Sequence, residues 1–194
     1  MNHYRLFYWL YERMAEEMCS DCKDFIKPGS KILDLGCGSG IVGKKFQDYF
    51  KSQLIGIDIK NNLIEKIPFQ IFDGKNIPFP ETTFDFVLIN YVLHHSPDPV
   101  LLLKEAKRVA KKIIVYEDLP EGFLSKLICK IHGITFANFF QKDENFGNFK
   151  KEKEWEKNFK ELGLNIIFKK RIASFPVKKE LFILREYNSE IADF

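Results

Sequence analysis

No charge of one sign dominates this sequence: 30 Lys and Arg stand against 27 Asp and Glu, a net charge of +3 over 194 residues. The basic footprint by which a nucleic-acid binder is first recognised is missing, so nucleic acid is not expected as a partner. Cysteine is sparse. Of the four, Cys19 and Cys22 form a C-x-x-C pair within a stretch that reads as helix, but no second pair and no nearby His completes a zinc set. Free thiols in a reducing compartment and no metal site are the expectation. Long apolar runs are lacking too. The run at 4–10 is broken by Glu12 and Arg13, is followed by no small-residue cleavage site, and is too short to span a bilayer. A cytoplasmic protein without a membrane span is expected. With no internal repeats or low-complexity segments, what is left is ordinary globular composition, 45% hydrophobic and 29% charged. A chain of this length supports one domain, 1–194, burying roughly 70% of its unfolded surface.

Within it, residues 3–24 place Leu6, Leu10, Met14 and Met18 at four-residue spacing, the apolar stripe of an amphipathic helix. Pro28-Gly29 ends that segment. Short apolar runs then alternate with helical patterns: KILDL at 31–35, a helix over about 40–50, LIGID at 54–58, a very short helix near 61–66, and FQIF at 69–72. FDFVLIN at 84–90, a helix over about 99–110 and IIVYE at 113–117 follow. Such alternation of continuous apolar strands with helices predicts an α/β fold around a parallel sheet. The last third changes character. Residues 122–146 are rich in Phe without a clear period, 150–162 read as a charged helix, and 165–171 and 180–187 read as two strands flanking Pro176.

The strongest signal is DLGCGSG at 34–40, which directly follows a strand and directly precedes a helix. Gly36, Gly38 and Gly40 permit a sharp turn and are expected to leave room for a ligand against bare backbone. The helix that follows aims unsatisfied N–H groups at an anionic group such as a carboxylate or phosphate. The spacing is GxGxG rather than the dinucleotide GxGxxG, and Asp34 precedes it. A carboxylate there repels a pyrophosphate but binds an ammonium. Asp58, ending the second strand, suits the two hydroxyls of an adenosine ribose, a role shared by several cofactors. Asp73, before Gly74, is placed to reach the exocyclic amine of adenine, and Asn90, Tyr91, His94 and His95 follow the fourth strand at the same sheet edge.

These segments resemble a class I S-adenosylmethionine-dependent methyltransferase, similar to the ubiquinone and menaquinone C-methyltransferase branch. The resemblance rests on ILDLGCGSG at 32–40, GID at 56–58, FDGKNIPFP at 72–80, FDFVLINYVLHH at 84–95 and KEAKRVAKKIIVYED at 104–118. It implies a Rossmann-like, doubly wound, seven-stranded sheet in the order 3-2-1-4-5-7-6 with the last strand antiparallel. It also implies S-adenosyl-L-methionine as cofactor and S-adenosyl-L-homocysteine as product. By the same resemblance Asp34, Gly36, Cys37, Gly38 and Gly40 belong to the methionine end, Asp58 and Ile59 to the ribose, Asp73 and Gly74 to the adenine, and Asn90 and Tyr91 to the methyl-bearing side. Residues 28–118 are expected to form the cofactor-binding core, 1–27 a leading helix, 119–162 a helical, Phe-rich acceptor-side segment and 163–194 the closing strand pair and tail. The chain departs from the family in a shortened second helix and in Lys111-Lys112, which replace a Pro-Gly-Gly turn. It also lacks the NPPY-type signature of enzymes that methylate adenine or glutamine amino groups.

Methyl transfer from a sulfonium is an in-line displacement that depends chiefly on holding the acceptor at roughly 3 Å. His94, His95, Glu117 and Asp118 are the candidates for a general base where the acceptor must lose a proton; for the two histidines, capping or packing under the next helix is the alternative. His132 reads as a surface or packing residue. Phe136, Phe139, Phe140, Phe146 and Phe149 line an apolar acceptor pocket or pack the core, while Tyr4, Tyr8 and Trp9 pack the first helix or close over the cofactor. The expected partner is a small-molecule methyl acceptor. Two other readings stay open at this level, a catalytically silent cofactor-binding protein of the same fold and a nicotinamide oxidoreductase, the latter disfavoured by Asp34 and the GxGxG spacing.

Overall fold

Strands buried on both faces are rich in consecutive apolar residues, and such stretches form the middle of β1 (Lys31–Leu35), β2 (Gln53–Asp58), β4 (Phe84–Asn90) and β5 (Ala110–Leu119). In the computed structural model these pair in parallel, β2–β1–β4–β5, and the short β3 (Phe69–Ile71) joins the outer side of β2. β7 (Lys178–Glu186) runs antiparallel between β5 and β6 (Leu164–Ile172). The sheet is seven-stranded in the order β3-β2-β1-β4-β5-β7-β6, as the resemblance implied. The backbone is described for residues 3–140, 148–172 and 175–187, and side chains for these except residues 3 and 132–140. Phe146 is therefore outside the described residues, as are the side chains of His132, Phe136, Phe139 and Phe140.

Helices cover both faces of the sheet. On one, α4 (Pro99–Val109) and α6 (Glu152–Glu161) bury Leu102, Leu103, Ala106, Val109, Trp155 and Phe159. α4 starts where Asp98 accepts from the Leu101 N–H at 2.9 Å, with Pro99 in the first turn where its missing N–H costs nothing. On the other face, α2 (Tyr8–Cys22) and α3 (Ile41–Phe50) contribute Ala15, Met18, Cys19, Cys22, Val42 and Phe46. Cys19 and Cys22 are free, and burial pushes both thiols up to about 12, so they act as small apolar core residues.

Two expectations are corrected. The leading helix breaks at Phe7 into α1 (His3–Leu6) and α2, and its buried face is Ala15, Met18, Cys19 and Cys22. Leu6 and Leu10 are instead 56% and 49% exposed. The small Ala and Cys side chains let α2 approach the sheet closely enough for the Tyr116 hydroxyl to donate to the Met18 carbonyl at 3.3 Å. Residues 61–66 form no helix. The Ile64 and Glu65 N–H groups donate to the Ser39 carbonyl at 2.9 and 3.2 Å, so this short segment satisfies its backbone on the glycine turn, and Pro68 precludes extending a helix. Within the Phe-rich segment expected to be helical, Phe123–Phe140 form α5.

Among the described residues, no helix is long and apolar enough to cross a membrane. Trp155, fully buried between α6 and the sheet, stacks beside Phe159, which meets Phe182 edge-on at 5.2 Å. Trp155→Ala is expected to lower unfolding free energy by about 3–5 kcal/mol in urea denaturation, whereas Lys153→Ala, at an exposed position of the same helix, should change it little.

Candidate active site

Parallel strands that switch direction of winding leave a crevice at their carboxyl ends, and here the switch lies between β1 and β4. A cavity of about 520 Å³ opens there. It is lined by Asp34, Gly36, Cys37 and Gly38 after β1, Asp58 and Ile59 after β2, Phe72 and Gly74 after β3, and Asn90, Tyr91, His94 and His95 after β4. Of the sequence-derived candidates, Gly40, Asp73 and Glu117 do not line it.

Gly36, Gly38 and Gly40 have φ values of 73°, 52° and 77°, in the left-handed region that favours glycine. The expectation that all three leave bare backbone for a ligand is corrected at Gly36 and Gly40. A Cβ on Gly36 would lie 2.5 Å from Val92 Cγ2, and one on Gly40 would lie 2.8 Å from Leu63 Cδ2. Protein atoms, not ligand volume, exclude side chains at those two positions. At Gly38 the nearest atom is the Tyr4 hydroxyl at 3.5 Å.

The three carboxylates have distinct environments. Asp34 is 2% exposed, and its Oδ2 has no hydrogen-bond partner among the described residues. Burial, and secondly the charge of Asp58, push its carboxyl up to about 7. Gly43 makes room for it: a Cβ there would lie 2.5 Å from Asp34 Oδ2. Asp58 is half-buried, and its Oδ2 accepts from the Gly38 N–H at 2.9 Å while Oδ1 accepts from the Lys60 N–H at 3.4 Å. Asp73 turns away. It accepts from the Lys75 and Asn76 N–H groups at 2.8 and 2.7 Å and from Asn76 Nδ2 at 2.7 Å, and these bonds hold its carboxyl down at about 2. The wall of the cavity on that side is accordingly made by Ile59, Phe72 and Gly74.

Across the cavity, Tyr91 has φ 57°, a strained value for a non-glycine residue that is found where the surrounding structure imposes it. Lys179 Nζ sits 4.8 Å from the centre of its ring. His94 is buried, with Nδ1 2.5 Å from Glu117 Oε2, and its ring stacks on Phe149 at 4.3 Å. The second Glu117 oxygen accepts from the Leu93 N–H at 2.9 Å, so Glu117 lies beneath His94 rather than in the cavity. Asp118 reaches the cavity; Tyr4, Tyr11 and Met14 form its N-terminal wall. Tyr8 donates to Glu65 at 2.9 Å, and Trp9 is 63% exposed. Lys179, Phe72, Tyr11 and Met14 are lining residues that the sequence reading missed. Lys179 arrives through its antiparallel register with Asp118, a pairing with no local signature.

A family profile described as a methyltransferase domain matches residues 33–113, a stretch that supplies most of the residues lining this cavity. The chain is 27% identical to demethylmenaquinone methyltransferase of Bacillus cereus, over 72% of this chain and 71% of that one. It belongs to the class I S-adenosylmethionine-dependent methyltransferases. An uncharacterized protein of Methanocaldococcus jannaschii is 34% identical, over 72% of this chain and 67% of that protein. The match spans only 38% of an uncharacterized methyltransferase of Schizosaccharomyces pombe, at 32% identity over 45% of this chain. Among solved structures, magnesium protoporphyrin IX methyltransferase of Synechocystis, with bound S-adenosylhomocysteine, shares the fold at TM-score 0.69 and 15% identity, over 91% of this chain and 83% of that one.

The Asp34 carboxyl, pushed up to about 7, is ionised above that pH and neutral below it. An ammonium partner favours the ionised form, so binding draws off the proton at low pH. Lowering the pH from about 8 to about 6 should raise the dissociation constant for S-adenosylhomocysteine roughly tenfold in calorimetry, and Asp34→Asn should bind weakly at both values.

Proposed function

We propose that this methyltransferase transfers a methyl group from S-adenosylmethionine to a small, largely apolar acceptor. The observation that carries the reading is Asp34, a buried carboxyl with an oxygen that has no partner among the described residues, beside the glycine turn. A group that presents an ammonium and a carboxylate together satisfies both. In this reading Asp34 holds the ammonium, and the turn at Gly36, Cys37 and Gly38, with the start of α3, receives the carboxylate. Asp58 accepts from the ribose, using lone pairs beyond those engaged by Gly38 and Lys60. Ile59, Phe72 and Gly74 face the adenine, with Asp73 fixing their turn, while Asn90 and Tyr91 shape the side nearest the acceptor. When bound, S-adenosylmethionine supplies an electrophilic methyl carbon on a sulfonium.

The remaining residues position the acceptor and manage its proton. Glu117 accepts from Nδ1–H of His94, which leaves Nε2 as the basic atom of that ring. His94 then takes a proton from an acceptor that must lose one, and Glu117 acts as its positioning residue; His95 packs against His94 at 4.1 Å. An apolar acceptor is supported by the wall of Tyr4, Tyr11 and Met14, and by a second hollow of about 260 Å³ that shares Asp118 and Lys179 and is otherwise lined mainly by Ile128, Cys129, Phe175, Pro176 and Val177. We place the leading segment 1–27 and segment 119–162 on the acceptor side of the core at 28–118.

Calorimetry should show binding of S-adenosylmethionine and S-adenosylhomocysteine but not of NAD; tight NAD binding alone would overturn the assignment. Asp58→Ala should weaken cofactor binding by roughly 2–5 kcal/mol, about 30-fold to several thousand-fold. With methyl-labelled cofactor and a cell extract, label should enter the small-molecule fraction, and His94→Gln should slow this by about 10²-fold or more at unchanged cofactor affinity. Label found only on RNA or DNA would refute the small-acceptor reading.

A further inference from the structure

A helix on a protein surface ordinarily turns its apolar side inward, and α5 does the reverse over its described side chains, residues 123–131. Phe123, Leu124, Leu127 and Ile131 are 85%, 42%, 45% and 51% exposed. At helical spacing they fall within an arc of about 100°. Facing inward instead are Ser125 and Cys129, both 3% exposed, with the Ser125 hydroxyl donating to the Leu119 carbonyl at 2.6 Å. Lys126 and Lys130, both exposed, border the apolar arc on one side, and the sequence of α5 contains no Asp or Glu.

The start of α2 adds a second apolar surface. Leu6, Phe7, Trp9 and Leu10 are 56%, 46%, 63% and 49% exposed. Both helices border one crevice, since Tyr4, Tyr11 and Met14 line the main cavity and Ile128 and Cys129 line the hollow that shares Asp118 and Lys179 with it.

We propose that the protein docks peripherally on anionic phospholipid bilayers, with the outer face of α5 inserted at the lipid surface and the start of α2 as a second contact. An outward apolar stripe edged by lysines and free of acidic residues is what a helix lying in a bilayer interface requires: acyl chains receive the stripe and anionic headgroups the lysines. The positive edge favours this occupant over a second copy of the same face, where like charges would meet.

The test is cosedimentation with vesicles of phosphatidylcholine alone and of phosphatidylcholine mixed with phosphatidylglycerol. Binding to the mixed vesicles is expected, with a blue shift in the emission of exposed Trp9, the other tryptophan, Trp155, being fully buried. Lys126→Gln and Lys130→Gln should each lower the partition coefficient about fivefold, and Leu127→Glu at least about tenfold, with circular dichroism unchanged. Absence of binding to the mixed vesicles, or unchanged binding by Leu127→Glu, would overturn the proposal. So would a dimer in ultracentrifugation that Leu127→Glu dissociates without any vesicle binding, which would assign the face to self-association. None of these readouts requires methyl transfer, so the docking and the enzymatic reading stand or fall separately.

Discussion

The cavity depends on how the turn after β1 is stitched to β2. The Gly36 and Cys37 N–H groups donate to the Ile57 carbonyl at 2.8 and 3.2 Å, and Gly38 donates to the Asp58 carboxylate at 2.9 Å. These bonds hold three successive amides of the turn against the end of the neighbouring strand. Left-handed backbone at Gly36 and Gly38 makes that possible, and the close approach of Val92 to Gly36 extends the same constraint to the segment after β4. Positions that would otherwise move independently, on β1, β2 and β4, are thus held in one frame around the cavity.

That frame also explains why a carboxyl survives where Asp34 sits. A buried acid without a partner is costly when ionised, and here the cost appears as a carboxyl that titrates near neutrality. Gly43 on α3 leaves the space its oxygen occupies, so helix, turn and strand together maintain, at the cavity wall, an acceptor with no partner among the described residues. The structure around it stays ordered through contacts that do not involve the acid: Ser39 receives two N–H groups from the segment that replaces a helix between β2 and β3. Economy of chain length on that side leaves the cavity wall to Ile59, Phe72 and Gly74, with Asp73 closing its own turn.

On the other side of the switch point, burial organises polarity differently. Glu117 is fully buried yet fully engaged, accepting from the Leu93 N–H and from His94. Its place on β5 fixes the histidine ring from below, and Phe149, close to α6 in the chain, covers the ring's face. The antiparallel insertion of β7 beside β5 then brings Lys179 opposite Asp118. A reversed strand late in the chain therefore supplies a charge to a cavity whose glycine turn was made near its beginning.

The sequence by itself determined the alternation of strands and helices, the strand order implied by the family, and the cluster of Asp34, the glycines and Asp58. These are legible because hydrophobic period, glycine spacing and strand ends are local properties. Tertiary structure decided what depends on rotation and register. It turned α2 so that Ala15 and Cys19, not Leu6 and Leu10, face the sheet, since close packing selects small side chains that a hydrophobicity count undervalues. It drew Asp73 into its own turn, set Glu117 under His94 instead of in the cavity, and delivered Lys179 across a pairing between strands remote in the chain. Whether a side chain faces a ligand, a neighbour or water is fixed by contacts with residues distant in sequence, and those contacts exist only once the sheet has formed.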